Sequence, residues 1–455
     1  MWLQSGSLRL TWEEAAEALR TLCEYSLSKR LPYGIINQQG ETRGLFKIVA
    51  NCWNFEIMKR KILFLSIALA VVGGCATVPR VNHFTGPWNL KELYAVPATT
   101  WGQQTNLTQE LFYEGEPFQG KPTRIFAYYG RPPTGNGPFP AMLLVHGGGG
   151  KAFREWAEHW AQRGYVALAM DLAGNGPNGR LPDGGPDQND QNKFRDFTES
   201  EANQMWSFHA VAAVIRGHSL LAAQKEVDRN RIGITGISWG GYLTCIVAGL
   251  DDRLKVAVPV YGCGFLDENS VWLGKFAQMS QAQRKRWVDY FDPSKYLSGV
   301  NCPILFLNGS NDFAYPLDSY QKSYREVKGS MTLSVKIRLP HGHIWTFNEV
   351  DCFVDSVLKG GEPLPELKPM KIADGMARTS FASKAPVVKA ELNYTTDVGE
   401  WQKRLWKIAP AEMKDEKVTA KLPLERPLVC YLSVTDQRDV TVSAPHVELP
   451  AQPVK

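Results

Sequence analysis

The run Gly236-Ile237-Ser238-Trp239-Gly240-Gly241 places one serine between glycines two positions before it and two after. Glycines at those positions let a strand turn sharply into a helix without steric conflict, which lifts the hydroxyl clear of the backbone at a helix N-terminus. A free hydroxyl is a weak nucleophile at neutral pH. It needs a base, an acid to orient that base, and donors for the charge that develops on a carbonyl oxygen under attack. Candidates for each are present. Leu143-Leu144-Val145-His146-Gly147-Gly148-Gly149-Gly150 ends an apolar run in glycines whose N–H groups can turn toward an oxyanion. The N–H of Trp239 and that of Gly148 or Gly149 are expected to form the hole, with His146 ordering the loop. Asp312 follows the apolar run at 303–307 and stands 74 residues beyond the serine, where the acid of a triad belongs. In Pro340-His341-Gly342-His343, either imidazole can take the serine proton and hold its Nδ1–H against Asp312. His343 is the expected base, because the loop must travel back across the top of a sheet and a Gly-His pair stands before the final helix. His341 is the alternative.

Such residues must be held by regular elements, and the rhythm of the chain supplies them. Short β-like runs at 111–113 and 123–129, broken off by the turn-rich segment 131–138, suit an antiparallel edge. Buried strands are then expected at 141–145, 165–170, 231–235, 255–261, 304–307 and 332–339. Between them, helices are expected at 153–163, 202–224, 241–250, 317–327 and 348–358. This alternation predicts an α/β class: a doubly wound, mostly parallel sheet with helices on both faces. The catalytic body is expected over 109–365. Beyond the Gly/Pro-rich stretch at 360–365, four short strand patterns predict a small C-terminal β-sandwich-like domain at 366–455. Insertions at 172–201 and 264–296 are expected to lie over the active-site end of the sheet. Trp206, Trp272 and Trp345 are candidates for the substrate pocket.

Composition narrows the function. The 455 residues carry 51 Lys+Arg against 46 Asp+Glu, are 44% hydrophobic, and show no basic tract or zinc-binding spacing, so nucleic acid is not an expected partner. The eight cysteines include no close pair, which implies neither a disulfide framework nor a metal knuckle. From Met58, Lys59-Arg60-Lys61, the apolar run 62–72 and Gly73-Gly74-Cys75 have the order of an export signal; eleven apolar residues are too few for a spanning helix. A cysteine after two small residues resembles the bacterial lipobox. The protein is therefore expected to be exported and anchored to a membrane through lipid on Cys75, at the outer membrane or cell surface of a bacterium. Residues 1–57 are expected to be a spurious upstream extension, although Thr11 and Glu14 would cap a helix there. Without residues 1–74 the chain holds 42 basic and 40 acidic residues, close to neutral. Residues 76–108 are expected to be a tether or N-terminal arm.

The order serine, aspartate, histidine is that of the α/β hydrolases. Residues 146–364 resemble the acetylxylan-esterase-like branch of that superfamily, related to dienelactone hydrolases and to the catalytic domain of prolyl-oligopeptidase-type peptidases. The resemblance is carried by His146 to Gly150, Leu181 to Gln188, His209 to Leu221, Gly236 to Gly241, and Pro340 to His343. It implies serine ester hydrolysis without metal or organic cofactor, often on acetylated plant polysaccharide or its oligomers. Two alternatives stand beside it. A prolyl-oligopeptidase-related peptidase is disfavoured because about 65 residues after Cys75 cannot hold a propeller of four-stranded blades. A cell-surface binding protein with vestigial activity is disfavoured by a complete triad. Dienelactone hydrolysis is disfavoured because that family uses cysteine where Ser238 stands.

Overall fold

The computed structural model describes residues 85–345 and 347–451; the expected signal segment with Cys75, residues 1–57 and the first part of the expected tether lie outside them. The remainder of that arm is not a tether. Leu90–Leu93 forms a single helical turn (α1), Thr99–Gln104 a strand (β1), and Trp88 is buried with its indole N–H on the Phe208 carbonyl at 2.9 Å. One large ring supplies the burial that holds the arm down, while its elements are too short to show a hydrophobic period.

β2 (Thr108–Glu114) and β3 (Arg124–Gly130) follow, then β4 (Phe139–Val145), α2 (Arg154–Gln162) and β5 (Val166–Met170). The first insertion holds the two-residue strands β6 (Asn175–Gly176) and β7 (Gly179–Arg180) and the short helix α3 (Asp190–Phe194). A 3₁₀ turn at Glu199–Gln204 precedes α4 (Trp206–Ala222), where one longer helix was expected. Next come β8 (Val227–Ile237), α5 (Trp239–Leu250) and β9 (Val256–Val260). The second insertion forms α6 (Leu273–Phe276) and α7 (Gln281–Phe291). β10 (Ile304–Gly309), α8 (Leu317–Glu326), β11 (Met331–Lys336) and α9 (Asn348–Leu358) complete the α/β part. No helix among the described residues is long and apolar enough to cross a membrane.

Nine strands make one sheet in the order β1-β2-β3-β5-β4-β8-β9-β10-β11. The pairings from β1 to β5 are antiparallel and those from β5 to β11 parallel. Parallel neighbours need crossovers, and these carry helices to both faces. α2 and α9 lie together on one face, joined by Arg163 to Asp355 at 2.6 Å, while α4 and α5 cover the other. Covered twice, β5, β9 and β10 are buried at every position, which is why they read as continuous apolar runs rather than alternations. The chain adds β5 on one side of β4 and β8 on the other. Strand order therefore reverses at β4, and in open sheets of this kind ligands bind beyond the strand ends at such a reversal. The His146 loop and Ser238 follow the C-terminal ends of β4 and β8.

From Glu366 the chain forms two five-stranded antiparallel sheets, including short strands at Lys371–Ala373 and Glu412–Lys414 that sequence patterning did not indicate. Their central strand, Leu428–Asp436, is buried along its whole length. Leu428, Cys430, Leu432 and Val434 face the small domain's own core, while Val429 and Tyr431 join the core of the α/β part, as a period of two requires. The second face docks on the β11 edge: Val335 N–H donates to Ser443 Oγ at 3.0 Å, and Tyr431 Oη to the Val335 carbonyl at 3.3 Å. An otherwise open sheet edge is thus covered.

Candidate active site

Where β8 ends, Ser238 takes φ 59° and ψ −119°, a conformation that few residues other than glycine adopt. Its N–H donates to the Val260 carbonyl at 2.9 Å and its carbonyl accepts the Tyr242 N–H at 2.9 Å, so the strand becomes the first turn of α5 at this residue. The flanking glycines are required by close approach. A Cβ on Gly240 would overlap the Val145 carbonyl, and one on Gly236 the Gly240 carbonyl. The elbow consequently touches β4, which brings the following loop against the serine.

That loop is pinned at its start. His146 is fully buried, with Nδ1 bonded to the Gly147 carbonyl at 2.8 Å and Nε2 accepting the Leu172 N–H at 2.8 Å. Both nitrogens are engaged, and burial pushes the ring's pKa down, so it is a neutral support for the turn. Gly148 and Gly149 N–H make no backbone hydrogen bond, and Gly149 has φ +67°. Gly147 packs against Ser238 Cβ and Gly148 against the Trp239 ring, so this loop and the first turn of α5, where Trp239 N–H is, lie next to each other.

Asp312 follows β10 with its carboxylate buried. Oδ1 accepts the N–H groups of Ala314 and Tyr315 at 2.9 and 2.8 Å, leaving Oδ2 directed at His341 Nδ1, 2.6 Å away. The His341 ring is sandwiched between Tyr261, stacked at 4.4 Å, and Phe313, edge-on at 4.7 Å. The expectation that His343 pairs with the acid is therefore corrected: His341 does. His343 lies over the glycine loop instead, its Nε2 accepting the Gly147 N–H at 3.1 Å, and burial lowers its pKa. The reason is path length. β11 ends at Lys336 and Leu339 passes against Gly309, so the first imidazole arrives above the acid; two residues later the chain has moved on toward β4. Neither ring is hydrogen-bonded to the Ser238 hydroxyl in this resting arrangement; such bonds commonly tighten only when substrate binds.

Both insertions meet over Trp239. Phe194 from the first lies 6.0 Å from its ring and Trp272 from the second 4.5 Å, while Phe276, Trp287 and Phe291 form the core of this cover. Of the tryptophans expected in the pocket, Trp272 is half-buried beside the serine elbow, against Trp239 and Tyr315, while Trp206 packs edge-on against Trp239 from the interior at 5.5 Å. Trp206 is corrected: it is fully buried, with its N–H on the Leu172 carbonyl at 2.6 Å. Trp345 is half-buried on the His343 side, against Phe153. Sequence reasoning missed Phe313, 55% exposed beside His341, and Tyr315, fully buried between the acid and Trp272. Their place directly after Asp312 was the available signal.

Residues 102–295 match the family model for acetyl xylan esterase (AXE1), and residues 273–397 that for PhoPQ-activated pathogenicity-related protein. An acetyl esterase of Xylanibacter ruminicola, Axe7A, is 22% identical over 215 residues, covering 42% of this chain and 46% of that protein. An uncharacterised peptidase of Bacillus subtilis, YuxL, is 24% identical over 341 residues, covering 68% of this chain and 47% of its own length. The chain thus spans about half the length of these two relatives. The solved acetyl xylan esterase from Paenibacillus sp. R4 superposes with a TM-score of 0.48 at 21% identity, over 59% of this chain and 92% of that one.

Proposed function

For a chain similar to the acetyl xylan esterase and dienelactone hydrolase-like α/β hydrolases, we propose serine ester hydrolysis through an acyl-enzyme, acting on acetyl esters of a carbohydrate. The observation that carries the reading is the 2.6 Å contact of Asp312 with His341, formed beside a serine held at a strained elbow. In this reading His341 Nε2 takes the Ser238 proton as Oγ attacks the acyl carbon. The carbonyl oxygen becomes negative and is received by the N–H groups of Trp239 and of Gly148 or Gly149. His341 then returns the proton to the departing alcohol, and a water molecule, activated by the same imidazole, releases the acid. Asp312, its second oxygen tied to two backbone N–H groups, holds the imidazole at one angle throughout. The aromatic wall of Trp239, Trp272 and Tyr315 favours a short acyl group, and the exposed Phe313 ring offers a face to a sugar.

Turnover of p-nitrophenyl acetate, acetylated xylan and an aminoacyl-proline amide, beside Ser238→Ala, tests the proposal. Cleavage of the acetyl esters without the amide, lost on the order of 10⁴-fold or more in kcat with Ser238→Ala, is the expected result. Preferential cleavage of the amide would favour the peptidase reading, which the Bacillus subtilis relative supports.

Export and lipid attachment at Cys75 are proposed from the sequence alone. Cells fed a radiolabelled fatty acid should yield a labelled protein, and Cys75→Ala should abolish the label; incorporation that survives this substitution would sink the assignment.

A further inference from the structure

Tyr315 touches two members of the proposed triad, Asp312 and His341, and packs through Trp272 beside Trp239, the residue that follows the third. Its backbone N–H donates to Asp312 Oδ1 at 2.8 Å, and its ring lies parallel to that of His341, 10° apart with centroids at 6.3 Å. The backbone is held in place by Asn308 Nδ2, which donates to the Tyr315 main-chain carbonyl at 2.9 Å, and the ring by Trp272 packed edge-on at 5.3 Å. Yet the hydroxyl at its end, fully buried, has no hydrogen-bond partner. Leaving such a group unpaired costs about 1–3 kcal/mol, so a phenol here is worse than a phenylalanine unless a partner forms at some stage of the reaction. Burial drives the phenol's pKa well above its ordinary value, and the nearby acidic and tyrosine groups add to this. The Ser238 side chain acts in the opposite sense.

Resting on the reading of Ser238 as the nucleophile, we propose that the Tyr315 hydroxyl donates a hydrogen bond to Ser238 Oγ while that oxygen carries negative charge. Oγ gives its proton to His341 Nε2 and bonds the acyl carbon as the carbonyl electron pair moves onto oxygen. When the acyl-enzyme is hydrolysed, the Oγ–carbon bond breaks and the pair returns to Oγ, which takes the proton back from His341. In both passages Oγ is briefly richer in electrons than a neutral hydroxyl, and an O–H donor held against it is strengthened at that moment. The tyrosine keeps its own proton throughout. Hydrogen bonding of this kind acts on the transition state and leaves ground-state binding unchanged.

Tyr315→Phe keeps the ring against His341 and Trp272 and removes only the oxygen. The expected result is a fall of about tenfold in kcat on p-nitrophenyl acetate with KM unchanged. A similar slowing is expected in the labelling of Ser238 by a fluorophosphonate, with thermal stability equal to or above that of the unmodified protein. Unchanged labelling and kcat, or an effect confined to KM, would overturn the proposal. Should the variant not fold, the crystal structure of the natural protein as its phenylboronic acid adduct, in which Oγ is bonded to a negatively charged boron centre, decides: Oη at about 2.8 Å from Ser238 Oγ supports it, and Oη still unpartnered overturns it. Failure of the natural protein to label at all would instead overturn the nucleophile assignment itself.

Discussion

His341→Ala is expected to lower kcat on p-nitrophenyl acetate by about 10⁴-fold or more, while His343→Ala stays within roughly tenfold of the natural protein. The asymmetry follows from what each ring already holds. His341 Nδ1 is committed to a buried carboxylate, which fixes its tautomer and leaves Nε2 to take the proton. His343 Nε2 is committed to the Gly147 N–H, and a nitrogen that accepts from the backbone cannot also accept a serine proton without surrendering that bond. Losing His343 would loosen the glycine loop but would leave the donors of Gly148, Gly149 and Trp239 in place, hence the smaller effect. Asp312→Asn should resemble His341→Ala in direction, since the amide can no longer hold the same tautomer. Rate measurements with both histidine variants decide the point, and the opposite ranking would return the base to position 343.

A chain ending at residue 365 is expected not to fold cooperatively, rather than to survive as an independent catalytic domain. Trp401, Trp406, Val429, Tyr431, Val440 and Val442 all lie in the core of the α/β part although they come from the C-terminal domain. Burial of a large apolar side chain contributes about 1.5–3 kcal/mol, so six of them amount to roughly 10 kcal/mol, comparable with the whole stability of an ordinary domain. The polar contacts point the same way. Glu349, buried, accepts from Lys336 Nζ at 2.7 Å and from the Thr441 N–H at 3.1 Å; without the second domain the latter is lost. Asn311, next to the acid, donates to the carbonyls of Gln402 and Arg404 at 3.1 and 2.7 Å. A truncated protein that is soluble and melts in one sharp transition near the temperature of the full chain would refute this coupling.

What could be read from the sequence follows what local chemistry constrains. The parallel sheet was legible because β4, β5, β9 and β10 are buried on both faces and cannot avoid being apolar. The glycines at 236 and 240 were legible as a backbone requirement, since no side chain fits where two main chains touch. The choice between His341 and His343 was not. It depends on how far the chain has travelled beyond β11, and spacing alone does not encode that path. The segment at 85–104 was misread for a related reason: Trp88 anchors it through a carbonyl 120 residues away. Trp206 and Phe313 reverse the usual expectation of aromatics, the larger ring serving the core and the smaller one standing in solvent beside the imidazole. Pattern distinguishes apolar from polar, but not a buried apolar ring from an exposed one near a crevice. In the C-terminal domain, the edge strand Glu412–Lys414 is short, polar and exposed at every position, so it carries no alternation to detect.

The backbone at Ser238 is strained by about 1–3 kcal/mol relative to an ordinary conformation, and a glycine there would relax it. Ser238→Gly should accordingly melt at a higher temperature than the natural protein while losing the hydroxyl. Thermal robustness and a presented hydroxyl therefore pull in opposite directions at this single bend.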